Sequence, residues 1–318
     1  MRLCRYDSEG RALVGFYDES GVIPIVTAVE ALSIASDADE ASDDPVDYLP
    51  PDGRFAAKAR ELAIALGTLD SDARSRLMIP IGRVKLLVPT PRPPKILLLA
   101  GNYAAHVIER GGVAVERAET FPYIFMKPPT TTLTHPNDPV RIPATSPDYI
   151  DYEAELGVVI GKRCRRVDEA EALGYVAGYT VVNDITDRKY TPNPGRKPRE
   201  RDKFFDWLHG KWHDTFCPVG PCILSAADLP DPQTSPIRLA VNGQVKQDGS
   251  TGQMIFPVAA VIAFLSQLIT LEPGDLISTG TPSGVGSSTG IYLKAGDEVV
   301  ASIGGIGELR NTMTSETA

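Results

Sequence analysis

The sequence has little of what would mark it as a secreted, membrane-bound or zinc-stabilised protein. Only 4 of its 318 residues are cysteine, and none forms the C-x-x-C pair typical of structural zinc. Free thiols in a reducing compartment are the plain interpretation. No stretch approaches the roughly 20 apolar residues of a membrane span, and the first residues lack the apolar region of a signal peptide. We therefore expect a cytoplasmic protein without a membrane partner.

Basic residues are outnumbered by acidic ones. The chain carries 32 lysines and arginines against 41 acidic residues, which gives a formal net charge of -9. Such a chain repels nucleic acid and anionic lipid at long range, so neither is an expected partner. Hydrophobic residues make up 42% and charged residues 23%, values that are ordinary for a globular fold. A small anionic substrate would need positive groups at the site itself.

Proline marks the clearest boundary in the chain. Four of the six residues 89–94 are proline, and neither a helix nor a central strand continues through such a run. We predict a small N-terminal α+β domain over residues 1–90 and a larger catalytic domain over residues 95–318. This division suits a chain that is long for one domain and short for three.

Hydrophobic periodicity predicts an α+β, mainly β architecture with a largely antiparallel sheet system. Before the boundary, the pattern predicts strands at 12–17 and 22–25, helices at 27–35 and 54–66, and an acidic, proline-broken segment at 37–53. Beyond it, the predicted strands are 95–100, 123–127, 152–162, 175–183, 237–246, 275–279 and 297–304. Asn242 and Gly243 predict a type I′ hairpin, and a helix is expected at 257–269, beginning at a proline.

Two glutamates stand out in the strand predicted at 152–162. Strand alternation places Glu153 and Glu155 on one face and apolar residues on the other. Neighbouring carboxylates repel each other, so a buried pair usually needs a cation between them. The alternative is a solvated strand face, which is how most E-x-E segments behave.

A third carboxylate ends the next strand, at Asp184. Together with Glu153 and Glu155 it would supply three hard oxygen ligands, with water and substrate filling the remaining positions. That set suits Mg²⁺, Mn²⁺ or Ca²⁺ and suits zinc or copper poorly. A turn-forming aspartate after Asn183 is the alternative.

The segment 101–112 places a histidine beside a carboxylate. Asn102 is expected to cap a short helix that Gly111 ends, so that His106 and Glu109 share one face. A carboxylate fixes the tautomer of an imidazole and raises its basicity, as a general base requires. A surface pair is the alternative reading, and the paired glycines would also let the segment move as a lid.

Six sequence blocks occur in an order typical of one family. They are G-N-Y-A-A-H-V-I-E from 101, F-M-K-P from 125, Y-E-A-E-L-G-V-V-I-G from 152, N-D-I-T-D-R from 183, W-L-H-G-K-W-H-D-T-F-C-P-V-G-P from 207 and D-L-I-S-T-G-T-P-S-G-V-G from 275. A seventh, V-N-G-Q-V-K-Q-D-G-S-T-G-Q-M-I-F-P, begins at 241. Over residues 95 to about 311 the chain resembles the fumarylacetoacetate hydrolase superfamily.

The resemblance implies a β-sandwich-like roll, a homodimer, and Mg²⁺ or Mn²⁺ held at Glu153, Glu155 and Asp184. It assigns water activation to His106 and Glu109 and oxyanion stabilisation to Lys211. The substrate-facing positions that it implies are Tyr103, Lys127, Arg188, Gly280 and Thr281. Without the resemblance, Lys127 and Lys211 would be interpreted as surface lysines.

Two positions depart from the family pattern. Lys189 and Thr191 stand where Asp and Gln are common, so a hydrogen-bond donor to the substrate is missing or replaced. The segment between Tyr190 and Trp207 is unusually basic. A solvated loop is the ordinary interpretation; attraction of a dianionic substrate to the site mouth is the functional one.

We therefore expect an enzyme that hydrolyses a C–C bond of a small β-diketo or 2,4-diketo acid, of acylpyruvate or fumarylpyruvate type. Decarboxylation of oxaloacetate-like acids, enol–keto isomerisation and lyase or hydratase steps use much the same scaffold, and fold alone does not choose among them. A binding protein on an inactive scaffold would be expected to have lost the carboxylates or the His-x-x-Glu pair. Both are present.

Overall fold

The computed structural model describes residues 1–33 and 42–316. Its strands are β1 (Arg2–Ser8), β2 (Arg11–Asp18), β3 (Gly21–Pro24), β4 (Ile79–Pro80), β5 (Lys85–Leu87), β6 (Ile96–Ala100), β7 (Tyr123–Met126), β8 (Leu133–Thr134), β9 (Val140–Ile142), β10 (Ile150–Asp151), β11 (Ala154–Ile160), β12 (Val176–Asn183), β13 (Thr186–Asp187), β14 (Cys217–Ser225), β15 (Pro236–Val241), β16 (Gln244–Ser250), β17 (Leu276–Ser278), β18 (Glu298–Ile303) and β19 (Gly307–Ser315). Its α-helices are α1 (Ile25–Leu32), α2 (Ala56–Gly67), α3 (Ser71–Leu77), α4 (Ala104–Glu109), α5 (Asp202–His209), α6 (Val258–Leu268) and α7 (Gly286–Thr289).

Two sheets organise the chain. The larger has the order β4-β3-β2-β1-β14-β12-β11-β17-β6-β7, with β5 paired to β1 and β8 to β14. The smaller has the order β16-β15-β18-β19-β9. Most neighbours are antiparallel, and β17 with β6 is one of the parallel exceptions. The predicted α+β, mainly β class with a sandwich-like catalytic body is confirmed.

Both faces of the larger sheet are covered, which explains why every residue of β11 is buried. Leu156 and Val158 pack in one cluster with Leu239 and Val299 of the smaller sheet. Val159 points to the opposite face, where a second cluster contains residues of α1 and α2. Fully burying each such aliphatic side chain contributes about 2 kcal/mol. This double layer fixes the strand that carries Glu155 and begins directly after Glu153.

The N-terminal strands extend the larger sheet. In β1, Leu3 lies opposite Ile223 of β14, and the other edge of the sheet ends at β7. The proposed division of the chain near residues 90–95 stays a prediction. No described helix has the length and apolar character needed to cross a membrane. The cytoplasmic location stays a prediction as well.

Strand β14 was missed from the sequence. Pro218, Gly220 and Pro221 argue against a central strand, yet β14 lies between β1 and β12. The sheet accommodates them because the pairing with β12 shifts register between Tyr179 and Val181, opposite this stretch. Where the register shifts, the inter-strand hydrogen bonds are interrupted, so a proline without a backbone N–H is tolerated there.

Most other predicted elements lie within a few residues of the observed ones. The hairpin between β15 and β16 turns at Asn242 and Gly243, with φ of 50° and 75°, as a type I′ turn requires. Besides β14, the elements that were not predicted are strands β1 and β19, helices α3, α5 and α7, and the short strands β4, β5, β8, β9, β10 and β13. Helix α1 ends earlier than predicted, at Leu32, and the last two positions of the predicted 27–35 helix lie outside the described residues. So does the start of the predicted 37–53 segment.

Candidate active site

Antiparallel pairing of β11 and β12 brings three carboxylates together. Ala154 lies opposite Asn183, so Glu153 and Glu155 flank the point where Asp184 leaves its strand. One ligand oxygen from each carboxylate lies within 4.8 Å of the other two. All three residues are buried. The solvated-face and turn alternatives do not fit this geometry.

The chemistry of these residues fits a hard divalent cation. Glu155 Oε2 accepts hydrogen bonds from Ser278 Oγ at 2.6 Å and from the Gly280 N–H at 2.8 Å. Even so, burial first, and then the charges of Asp184 and Glu153, raise the pKa of Glu155 to about 8. Three hard carboxylate oxygens, one of them on a glutamate whose pKa is raised by burial and by its neighbours, are a donor set that Mg²⁺ or Mn²⁺ would stabilise.

Lys211 lies against the same cluster. Its Nζ donates to Glu153 Oε2 at 2.9 Å and to Thr186 Oγ1 at 3.0 Å, and it contacts Asp184 Oδ2. Burial lowers its pKa, but the charges of Asp184 and Glu153 outweigh burial, and the net shift is upward. Lys211 is therefore a buried cation, and the surface-lysine alternative is wrong.

Lys127 is also buried, but the N–H groups of its ammonium are used by neighbouring groups of the protein. Its Nζ lies 2.5 Å from Asp184 Oδ1 and donates to the carbonyls of Ile185 at 2.7 Å and Phe216 at 2.5 Å. This geometry orients Asp184 within the cluster. The surface alternative is wrong here too, while the expected contact of Lys127 with substrate stays a prediction.

Arg188 connects the cluster to a carboxylate that sequence reasoning missed. Its Nε donates to Asp151 Oδ2 at 2.7 Å, and its guanidinium donates to Glu153 Oε1 at 2.5 Å. Asp151 also accepts the N–H groups of Gly286 at 2.6 Å and Ser287 at 3.0 Å. The available signal was its place next to the Tyr152 block. Asp151 thus positions Arg188, and through it Glu153.

His106 and Glu109 form a hydrogen-bonded pair on α4. His106 Nδ1 lies 2.8 Å from Glu109 Oε1, while His106 Nε2 lies 3.9 Å from Glu153 Oε1. Because the carboxylate accepts, the neutral imidazole carries its proton on Nδ1 and presents the Nε2 lone pair to the carboxylate cluster. His106 is only 5% exposed, so the surface-pair alternative does not fit.

The expected N-cap of this helix is wrong. The cap residue is Tyr103, without a side-chain cap, and α4 begins at Ala104. Asn102 instead fixes the segment to its neighbours, accepting from the Phe256 N–H at 2.8 Å and donating to the carbonyl of Thr279 at 2.8 Å. A buried amide with several backbone partners outweighs a local cap. Gly111 does follow the helix, with a φ of +77°.

The remaining predicted residues surround the carboxylates. Gly280 has a φ of +86°, which directs its N–H at Glu155. Thr281 Oγ1 donates to the carbonyl of Ala154 at 2.8 Å and accepts from Gln247 Nε2 at 2.8 Å. Tyr103 is buried, and its hydroxyl has no hydrogen-bond partner among the described residues.

One cavity joins these groups. Its walls include His106, Glu153, Glu155, Arg188, Lys211 and Thr281, together with Arg110, Phe125 and Trp207, which sequence reasoning did not single out. Phe125 and Trp207 meet edge to face, with ring centroids 5.0 Å apart. Lys127 and Tyr103 are absent from the lining of this cavity.

The basic segment after Arg188 is partly neutralised by its own acids. Arg196 Nε lies 3.0 Å from Asp202, and its guanidinium contacts Asp206. Arg199 Nε lies 2.9 Å from the same Asp202. The segment is therefore a poorer electrostatic guide for substrate than its composition indicates. Lys189 lies over the ring of Tyr149, 3.9 Å from its centroid.

Comparison with known proteins agrees with this geometry. The family model described as fumarylacetoacetate (FAA) hydrolase C-terminal matches residues 95–314. The 2,4-didehydro-3-deoxy-L-rhamnonate hydrolase of Sphingomonas is 37% identical over 324 residues, covering 99% of this chain and 96% of that protein. An oxaloacetate tautomerase of Xenopus laevis, described as mitochondrial, is 38% identical over 252 residues, covering 79% of this chain and 74% of that one.

Among solved structures, maleylpyruvate hydrolase from Sphingobium superposes with a TM-score of 0.71 at 30% identity, covering 99% of this chain and 100% of that one. The family model, the relatives and the solved structure agree over the segment that carries the carboxylates and the His106–Glu109 pair. This chain is an enzyme of the fumarylacetoacetate hydrolase superfamily, and its relatives in that superfamily are hydrolases and isomerases.

Proposed function

We propose that this enzyme hydrolyses the C3–C4 bond of a small 2,4-diketo acid of acylpyruvate type. The observation that carries the proposal is the His106–Glu109 pair, with Nε2 of the imidazole 3.9 Å from Glu153 Oε1. Hydrolysis needs a base for water beside the site that binds the keto acid. Decarboxylation needs no activated water, so a buried, oriented base supports hydrolysis.

A divalent cation held by Glu153, Glu155 and Asp184, either Mg²⁺ or Mn²⁺, would supply Lewis acidity to the two oxygens of the 2-keto-carboxylate end. The protein residues carry the proton transfers. His106 Nε2 accepts a proton from water, and Glu109 stabilises the imidazolium through the Nδ1 hydrogen bond of 2.8 Å. Lys211, which lines the same cavity, places a positive charge near the oxygen that gains negative charge.

The water oxygen adds to the C4 carbonyl carbon, and the C3–C4 bond breaks with its electron pair leaving on the pyruvate unit as an enolate. His106 returns its proton to C3. The products are pyruvate and the carboxylic acid of the acyl group, and no oxidant or reductant is required.

A second reaction class has support from one relative. The Xenopus laevis protein is named as an oxaloacetate tautomerase, and it is 38% identical to this chain. The same histidine that takes a proton from water would move a proton between carbon and oxygen in enol–keto exchange. The Sphingomonas relative is named as a hydrolase and aligns along 99% of this chain, which supports the hydrolase proposal.

The test is a metal-supplemented substrate panel. Loss of the enol absorbance of acetylpyruvate reports hydrolysis. With oxaloacetate, release of pyruvate and CO₂ reports decarboxylation, and decay of the enol absorbance reports tautomerisation. We expect acetylpyruvate to be consumed fastest, chelation to stop its loss, and His106→Ala to reduce it strongly. His209→Ala, outside the cavity lining, is the matched control. The enzyme would instead be a decarboxylase if it decarboxylated oxaloacetate faster than it cleaved acetylpyruvate, and if that activity remained in His106→Ala but was lost in Glu155→Ala.

We also propose a homodimer. Exposed apolar side chains on and beside β7 support it: Phe121 packs against Tyr123, and Trp212 Nε1 donates to the carbonyl of Met126 at 2.9 Å. Isolated exposed apolar residues are ordinary, but contiguous ones commonly mark an interface. Light scattering should give twice the chain mass. A monomer at micromolar concentration would contradict the proposal.

A further inference from the structure

Four cationic side chains lie around the carboxylate cluster, and three of them are paired. Lys127 and Lys211 contact Asp184, and Arg188 is held between Asp151 and Glu153. These three charges are matched within the protein. They are poorly placed to recognise a further negative group on a substrate, because each would have to leave a buried carboxylate.

The fourth cation is Arg110. Its side chain lines the same cavity as Glu153 and Lys211, and it directly follows Glu109 at the end of α4. Among the described residues, no carboxylate oxygen lies within 4.0 Å of its guanidinium and no acceptor is hydrogen-bonded to it. Partial burial, then the positive charge of Arg188, lowers the pKa of Arg110. The carboxylates of Glu153, Asp151 and Glu109 act in the opposite direction, but none of them forms an ion pair with it.

Part of the wall of this cavity is aromatic. Phe125 and Trp207 line the cavity, and Phe125 is 8% exposed. An apolar wall favours a carbon chain over a second chelating group. The cavity thus combines three features. Carboxylates at one place could hold a metal for the keto-acid end of a substrate, an apolar wall suits the carbon chain of that substrate, and the guanidinium of Arg110 belongs to none of the ion pairs in the site.

We propose that Arg110 is a specificity-determining residue that binds a second carboxylate on the substrate, so that the preferred substrates are dicarboxylic 2-keto acids. The inference rests on the proposed function for its keto-acid end. A guanidinium binds a carboxylate through two parallel N–H donors, which gives both affinity and orientation. Monocarboxylic 2-keto acids would bind through the same end but leave Arg110 unpaired.

The experiment measures binding without catalysis. Calorimetry with Mg²⁺ present compares 2-oxoglutarate with 2-oxopentanoate, which have the same chain length and differ in the distal carboxylate. Neither has a 4-keto group, so neither undergoes the proposed hydrolysis. Wild type should bind 2-oxoglutarate about tenfold more tightly, the ratio expected for one charge-assisted hydrogen-bonded pair.

Three variants separate the contribution of Arg110 from general charge. In Arg110→Gln the preference for 2-oxoglutarate should fall to about twofold or less. In Arg110→Lys part of the preference should remain, because lysine keeps the positive charge but lacks the two parallel N–H donors of the guanidinium. Arg83→Gln removes the same charge at an exposed residue outside the cavity and should keep the wild-type ratio. An unchanged ratio in Arg110→Gln, or no preference in wild type, overturns the proposal.

The two proposals fail separately. If wild type leaves acetylpyruvate intact yet shows the Arg110-dependent preference, the hydrolase assignment is wrong and the specificity role stands. If acetylpyruvate is cleaved and the preference is absent, the reaction stands and Arg110 does not select substrates.

Discussion

Glu109 fixes His106 by using both of its carboxylate oxygens. Oε1 lies 2.8 Å from His106 Nδ1, and Oε2 accepts the Gly284 N–H at 2.9 Å. The imidazole is thereby tied to the turn that follows β17, and its free nitrogen is directed at the carboxylate cluster. A base held in this way loses its function when either partner is removed.

Single and double variants of this pair should be equally impaired. His106→Ala and Glu109→Ala are each expected to reduce turnover by roughly 10² or more, and the double variant should be little worse. Calorimetry should still detect Mg²⁺ binding in all three, because neither residue belongs to the proposed ligand set. Additive losses in the double variant would show that the two residues act independently.

The proposed metal ligands are testable without any substrate. Glu155→Gln keeps the side-chain shape but removes one of the three carboxylates that lie within 4.8 Å of one another. We expect Mg²⁺ or Mn²⁺ affinity to fall by at least about tenfold, since even indirect partners of a metal cost that much when removed. Glu308→Gln, in the exposed pair with Arg310, is the matched control and should bind metal like wild type. Unchanged binding in Glu155→Gln would exclude the site.

Asp151 should be more important to stability than an ordinary surface acid. It is fully buried, and it holds both Arg188 and the first N–H groups of α7. Asp151→Asn leaves the Arg188 charge buried with one partner fewer, and we expect the free energy of unfolding to fall by about 3 kcal/mol. Denaturant unfolding would measure this, with Asp248→Asn in the exposed Arg238 pair as control. Equal effects of the two substitutions would contradict the positioning role.

The strand alternation of the glutamates was predictable because it depends only on local geometry. Once 152–162 is a strand, Glu153 and Glu155 share a face whatever surrounds them. Their convergence with Asp184 was proposed from its place at the end of the next strand, and the family resemblance supported it, but the strand pairing that brings the three together is a long-range property. The same holds for Lys211, whose ammonium is buried among carboxylates from other elements. Its own neighbours in sequence carry no sign of that.

The misses have a common cause in tertiary contacts. Pro218 and Pro221 disfavour a strand locally, but β14 still pairs with β12 because the register of that pairing shifts beside them. Asn102 has the residue type of an N-cap, yet its amide is bound to Phe256 and Thr279. Arg110 gave no signal in the sequence, because an arginine at a helix end is ordinary until the cavity beside it is known.

The last prediction concerns the acid stability of the fold and involves His135, which does not line the candidate site. His135 Nδ1 accepts the Val88 N–H at 2.9 Å, so this nitrogen has to stay unprotonated in the fold. Burial lowers the pKa of His135 below its ordinary value of 6.5, although Asp138 acts in the opposite direction. The unfolded chain therefore binds the proton more readily, and the stability that this histidine contributes is full above about pH 6.5 and is lost as the pH falls.

His135→Asn keeps an acceptor for the Val88 N–H but does not titrate. Between about pH 7 and about pH 5, the free energy of unfolding should therefore fall less steeply in the variant than in wild type. Denaturant unfolding at several pH values measures the two slopes, and their difference removes the contribution of carboxylates common to both proteins. The ring protons of His135 followed by NMR should titrate below pH 6.5, the ordinary histidine value. Parallel slopes, or a titration above that value, would show that the Val88 contact does not resist protonation.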